Sequence, residues 1–133
     1  MAHVHPVRVY YEDTDAGGIV YYANYLRFLE RGRTEWLREL GFEQRQLLEQ
    51  SVGFVVKRFE MDNHAPALFD QLLSIHTQLV ELKRASMTFE QKIINPDNKC
   101  LVSAVVKVAC VDLDKMKPKA IPAAILGEIS RVI

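Results

Sequence analysis

The chain has little of what usually announces a function: two cysteines, no net charge and no long apolar run. Cys100 and Cys110 fall in one apolar stretch that reads as a single strand. Ten residues along a strand span roughly 33 Å, far beyond disulfide reach. The two therefore read as reduced core residues, as expected of a cytoplasmic protein. With 17 basic residues against 17 acidic ones, formal charge is zero, which argues against nucleic-acid binding through a broad basic face. No apolar run approaches the ~18 residues that span a bilayer, and the Met1–Pro6 segment lacks the apolar core of a signal peptide. Membrane insertion is not expected.

Chemical motifs are also sparse. There is no Gly-Lys-Ser sequence for a nucleotide P-loop and no Gly-x-Ser-x-Gly elbow for a serine nucleophile. His3, His5, His64 and His76 have no cysteine or carboxylate at a metal-ligand spacing. Neither a metal nor a cofactor is expected. Any nucleophile or base must then be a carboxylate.

What is present suits one globular domain over residues 1–133, with 49% apolar and 26% charged residues. Val4 to Tyr11 is β-branched and aromatic and reads as a strand, with Pro6 at an edge position. From Tyr22 to Leu40, apolar residues at Tyr22, Leu26, Leu29, Trp36, Leu37 and Leu40 keep a helical period. Arg31–Glu35 reads as an ion pair on the helix surface. Gly32 lies on the apolar face, where glycine costs about 1 kcal/mol relative to alanine; a close approach by another backbone is expected to compensate. Gly41 is a natural helix stop, and Glu43–Gln50 reads as a short second helix.

The remainder reads as strands over Gly53–Met61, Leu72–Leu82, Ala85–Ile94 and Cys100–Asp112, with turn chemistry at Asn95–Asn98. The even positions of the last strand, Cys100 to Cys110, make its apolar face. Asp112–Pro122 reads as a loop and the C-terminal residues as a weak apolar tail. One helix of about 19 residues is roughly 28 Å long and cannot cover both faces of a five-stranded sheet. The expected fold is α+β, a curved antiparallel sheet wrapped around one long helix, with a free edge or face that invites self-association.

The richest stretch runs from Tyr10 to Tyr25. It contains Glu12, Asp13 and Asp15, the Gly17-Gly18 step and an aromatic helix start. Glycines let a backbone approach a ligand, and a helix start offers free N–H groups with partial positive charge. A calcium loop starting at Asp13 fails at its fifth position, Gly17, and its twelfth, Asn24. A polar turn with an Asp cap explains the composition equally well. Lys83, Arg84, Lys115, Lys117 and Lys119 are solvated in the plain reading, and gain interest only for a phosphate-bearing substrate.

The run from Val7 to Trp36, centred on Asp-Thr-Asp-Ala-Gly-Gly-Ile-Val-Tyr-Tyr-Ala-Asn-Tyr, resembles the signature of hot-dog-fold acyl-CoA thioesterases of the 4-hydroxybenzoyl-CoA thioesterase type. The likeness continues through Phe54–Lys57, Ala65-Pro66-Ala67, Val108–Asp112 and Lys115–Pro118, where it looks like the bacterial thioesterases associated with the Tol–Pal system. The resemblance implies that Asp15 is the catalytic carboxylate and the Tyr22 backbone N–H the oxyanion donor. Histidine is usual at position 22 in that subfamily; a backbone donor survives its replacement by tyrosine. Tyr11 matches a tyrosine near the site, Gly17 and Gly18 leave room for the thioester carbonyl, and Lys83, Arg84, Lys117 and Lys119 match residues that meet coenzyme A phosphates. The family works as homodimers or homotetramers with sites at subunit interfaces, and acyl carrier protein is a further possible partner. The rival reading is a non-catalytic module that binds acyl-CoA or acyl carrier protein. A hot-dog dehydratase lacks its histidine–carboxylate pairing here.

Overall fold

A computed structural model describes residues 2–132. In chain order the elements are β1 His3–Arg8, α1 Asn24–Glu39, α2 Gln44–Glu49, β2 Val52–Asn63, β3 Leu72–Leu82, β4 Ser86–Ile94, β5 Cys100–Asp112, β6 Lys117–Pro118 and α3 Ala123–Val132. All the strand pairs are antiparallel, in the order β1-β3-β4-β5-β2, with the short β6 on the end of β5. Register shifts between Val56 and Arg58 on β2, and between Leu79 and Glu81 on β3, mark bulges. Bulges of this kind bend strands, as a sheet curled around a helix requires.

Helix α1 fills the curl. Its buried stripe is Tyr25, Phe28, Leu29, Gly32, Trp36 and Leu37, the three-and-four spacing of an amphipathic helix. Trp36 meets Phe89 of β4 edge to face, with ring centroids 5.1 Å apart. The stripe is rotated from the predicted one: Tyr22 and Leu26 are 61% and 43% exposed. Tyr22 precedes the helix proper, and Leu26 lines a groove beside β2 and β5. Glu35 pairs with Arg38 rather than Arg31, and the Arg31 guanidinium lies 5.9 Å over the Phe28 ring.

Gly32 is pressed by sheet side chains, not by a neighbouring backbone as expected. A Cβ there would lie 2.7 Å from Ile75 Cγ2, 2.8 Å from Thr77 Oγ1 and 3.1 Å from Gln91 Nε2. The even positions of β5 from Val102 to Cys110 are buried as their alternation implies. Both cysteines are free; Cys110 is buried and Cys100 only partly so. Burial pushes the Cys110 thiol up, with nearby Lys119 opposing.

Two late segments differ from expectation. The loop after Asp112 contains β6, formed because Asp112 Oδ1 accepts the N–H groups of Asp114 and Lys115 and turns the chain back. The apolar tail is helix α3, whose Ile125 and Ile129 are fully buried with Ile121 just before them. That four-residue spacing makes one helical face. Among the described residues, no helix is long and apolar enough to cross a membrane.

Gly32→Ala should lower stability by roughly 1–2 kcal/mol, since overpacking outweighs the helix-propensity gain. Urea unfolding measures it; a midpoint equal to or above that of the parent would contradict the packing described.

Candidate functional site

Between β1 and α1 the chain forms a small hairpin rather than an open loop. Tyr11–Asp13 make one tight helical turn, and Thr14 and Val20 form a β-bridge. Tyr21 N–H and Asn24 Nδ2 both donate to the Asp13 carbonyl, at 3.0 and 2.9 Å. The hairpin is tied down by the β2–β3 connection. Ala67, fully buried, accepts from Val20 N–H at 2.9 Å and donates its own N–H to Tyr25 Oη at 3.0 Å. Phe69 N–H reaches the Gly18 carbonyl at 3.2 Å, and its ring meets Tyr11 edge to face at 5.9 Å. Burial pushes the Tyr25 phenol up, with the Ala67 N–H partly offsetting it. Tyr25 is thus a neutral structural post.

The hydrogen bonds sort the three acids. Asp13 Oδ2 accepts Tyr10 N–H at 2.8 Å, so this carboxylate fastens the turn. Glu12 is exposed in the helical turn before the hairpin. Asp15 Oδ1 accepts Gly17 N–H at 2.8 Å, while its backbone bonds Ile19 and Gly18 across the hairpin. Asp15 Oδ2 accepts no hydrogen bond among the described residues. This carboxylate is exposed, fixed through one oxygen and open at the other.

The two glycines serve this placement in different ways. A Cβ on Gly17 would lie 3.3 Å from Asp15 Oδ1. Gly18 has φ +78°, the left-handed region, and a Cβ there would meet no atom within 4 Å. Its requirement is purely conformational.

On the other limb of the hairpin, α1 starts without a side-chain cap or an acidic residue in its first turn. Asn24 N–H bonds the Tyr21 carbonyl and Tyr25 N–H the Tyr22 carbonyl. The N–H groups of Tyr22 and Ala23 donate to no acceptor among the described residues. They stand at the positive end of the helix dipole. The Tyr22 ring is exposed and leans on Tyr21, with centroids 5.0 Å apart. Tyr11 is 80% exposed, beside Phe69 and outside any hydrogen bond to Asp15.

The predicted basic residues gather elsewhere. Lys83 and Arg84 form the β3–β4 turn, Lys117 is on β6, and Lys119 N–H bonds the Cys110 carbonyl at 2.9 Å. Ile121 N–H donates to the Arg84 carbonyl at 2.8 Å and joins the two segments. Lys83 Nζ lies 3.5 Å from Glu81. This cluster is at the Leu82 end of β3, whereas the Asp15 hairpin is bonded beside the Leu72 end. Those 11 residues separate the two groups by roughly 35 Å within one chain. Among the described residues no three His, Cys, Asp or Glu side chains gather as a metal site.

Sequence reasoning did not find a groove between α1 and the β2/β5 part of the sheet. Its outer part, about 390 Å³, begins at Leu26 and Arg27 and passes Phe59. Its inner part, about 110 Å³, is closed by Trp36, Phe54 and Phe89. Glu30, Arg33 and Val56 line both parts. The exposed Leu26, next to Arg27 and Glu30 on the helix shoulder, was the available signal.

Residues 9–129 match the model of the thioesterase-like superfamily. The chain belongs to that superfamily. It is 55% identical over 118 residues to the acyl-CoA thioesterase YbgC of Haemophilus influenzae, covering 88% of this chain and 86% of the relative. It is 48% identical over 126 residues to the acyl-CoA thioester hydrolase YbgC of Escherichia coli, covering 95% and 94%. A crystal structure of a probable thioesterase from Bartonella henselae superposes with a TM-score of 0.86 at 38% identity, covering 92% of this chain and all of that one. The fold of this thioesterase-superfamily chain is thus the hot-dog fold that its motifs imply.

Gly18→Ala should cost about 1–2 kcal/mol from the left-handed backbone alone. Equilibrium unfolding of the variant checks this, and an unchanged stability would contradict the hairpin geometry.

Proposed function

We propose that the protein is an acyl-CoA thioester hydrolase in which the Asp15 carboxylate and the Tyr22 backbone N–H are the catalytic pair. The single observation that carries the pair is their shared hairpin. One limb ends in a carboxylate with a free oxygen, and the other in an unpartnered amide at a helix start. The activity itself is supported by relatives at 48–55% identity that are named acyl-CoA thioester hydrolases.

The reaction follows from these groups. The thioester carbonyl oxygen accepts the Tyr22 N–H, and the helix dipole stabilises the charge that develops on it. Donors placed for an oxyanion typically contribute about 10²–10³ in rate. Asp15 either draws a proton from the attacking water or attacks the carbonyl itself, giving a mixed anhydride that water then opens. Both routes expel the coenzyme A thiolate and leave a carboxylic acid. Single turnover in ¹⁸O-water tests the direct route: label appearing first in Asp15, where water opens the anhydride at the Asp15 carbonyl carbon, would exclude simple general-base attack. Tyr11 and the Gly17-Gly18 backbone flank the carbonyl.

The basic residues complete the site from a second subunit. Edge strand β2 bonds only β5 among the described strands, and its Val55 and Val56 are exposed. Pairing of two such edges yields the homodimer, or a homotetramer of two dimers, in which Lys83, Arg84, Lys117 and Lys119 of one subunit serve the Asp15 hairpin of another. A cytoplasmic location, a link to the Tol–Pal system and use of acyl carrier protein rest on the sequence resemblance.

Asp15→Asn should reduce thiol release from acyl-CoA esters by at least about 10³-fold while the protein still folds and binds the esters. Near-normal turnover by the variant would overturn the assignment. Inactivity of the parent protein on every acyl-CoA would favour the binding module.

Replacing Lys83, Arg84, Lys117 and Lys119 by neutral residues should raise KM for coenzyme A esters well above any change for pantetheine thioesters, which lack the nucleotide phosphates. Equal effects on both substrate types would remove the phosphate-binding role.

A further inference from the structure

The core contains a polar device whose purpose lies outside the catalytic pair. Thr77 and Gln91 are the buried polar residues of the described chain, 0% and 1% exposed. Gln91 Nε2 donates to the Leu29 carbonyl and to Thr77 Oγ1, both at 2.9 Å. Its Oε1 accepts Arg33 Nη1 at 3.0 Å. Gly32 clears the space, since a side chain there would strike both Thr77 and Gln91. Burying an amide and a hydroxyl costs free energy that an apolar core avoids. Here that cost is spent on holding one guanidinium in one direction.

Arg33 itself lines the groove. A guanidinium has five N–H donors, and Gln91 takes one of them. Among the described residues no carboxylate comes within ion-pair distance of Arg33; Glu30, one turn earlier on α1, acts on it through space. Burial pulls the Arg33 pKa down and Glu30 opposes that. Both side chains line the outer and the inner parts of the groove, whose other walls are largely apolar. The groove therefore presents donors from Arg33 beside an acceptor from Glu30, with Arg27 at its outer end.

A hydroxyl group satisfies both at once, as acceptor to one and donor to the other. A carboxylate would meet repulsion from Glu30, and a plain alkyl chain would leave the guanidinium desolvated and short of partners. The groove opens at Leu26, one helical turn beyond Tyr22, and Arg33 follows seven residues on, a rise of roughly 10 Å. We propose that Arg33, assisted by Glu30, is a specificity-determining residue that selects acyl groups bearing a hydroxyl well away from the thioester. The proposal rests on the thioesterase reading for the identity of the ligand.

The test compares kcat/KM for straight-chain acyl-CoA esters and for esters of equal length hydroxylated at the far end. The parent should favour the hydroxylated ester by about 10-fold or more at its best chain length. Arg33→Met should bring the ratio close to one, mainly through KM, and Arg33→Lys should restore part of it. A purely structural Arg33 would move the unfolding midpoint and leave the ratio alone. That result, or a parent without hydroxyl preference at any length, would overturn the proposal. Should Arg33→Met fail to fold, Glu30→Gln gives the same readout: a several-fold fall in the ratio is expected, and an unchanged ratio contradicts it. If the parent releases no thiol from either ester, the thioesterase reading fails, and the affinities of non-hydrolysable thioether analogues decide on Arg33. Tighter binding of the hydroxylated analogue, lost in Arg33→Met, supports it; equal binding overturns it.

Discussion

The site depends on the backbone of one buried residue, Ala67. It is bonded on both sides, by Val20 N–H to its carbonyl and by its own N–H to the Tyr25 phenol. Val20 belongs to the acid hairpin and Tyr25 to the first turn of α1, so a single residue of the β2–β3 connection fixes the hairpin against the start of the helix. A buried peptide group left unpaired would cost about 1–3 kcal/mol, so the latch is strongly favoured. Without it the hairpin would be tied to that connection only at its turn, through the Phe69 N–H to the Gly18 carbonyl and the Ile19–Leu68 bridge.

Within that frame, function follows from which groups the fold consumes and which it leaves free. Asp13 is consumed: its carboxylate caps one turn and its carbonyl anchors Tyr21 and Asn24. Asp15 is half consumed, since Gly17 N–H fixes one oxygen and the other faces solvent. At the start of α1 the absence of a cap leaves donors and dipole directed outward. The same contrast recurs in the core, where Gln91 is fully used and Arg33 is left with donors to spare. The proposed chemistry uses the groups whose bonding is incomplete.

Much of the fold was legible because its signals are local. Alternation in β5 and the three-and-four period in α1 need no tertiary knowledge, and Asn95–Asn98 closes its hairpin with the Asn95 side chain as turn chemistry predicts. The errors share a cause. Tyr22 and Leu26 were assigned to the core because periodicity cannot show where a curved sheet stops covering a helix. Helix α3 was missed although Ile121, Ile125 and Ile129 carried its spacing, because a short apolar stretch has no strong boundary signal. At the site, the acid-glycine-aromatic cluster was visible and the Gly-Gly step had its physical reason. The choice of Asp15 over Glu12 and Asp13 came from the family resemblance, since no local pattern shows which oxygens the backbone occupies. The Arg33–Gln91–Thr77 chain joins residues 58 and 14 positions apart, a separation no local pattern reports.

The central claim is that a thioester carbonyl sits between the Asp15 carboxylate and the Tyr22 amide. A crystal structure with a non-hydrolysable ketone analogue of an acyl-CoA, which keeps the carbonyl, tests it most directly. The account predicts the analogue's carbonyl oxygen at about 3 Å from Tyr22 N, with Asp15 Oδ2 facing the carbonyl carbon directly or through one water. A carbonyl bound away from the start of α1, with Asp15 facing bulk solvent, would contradict it.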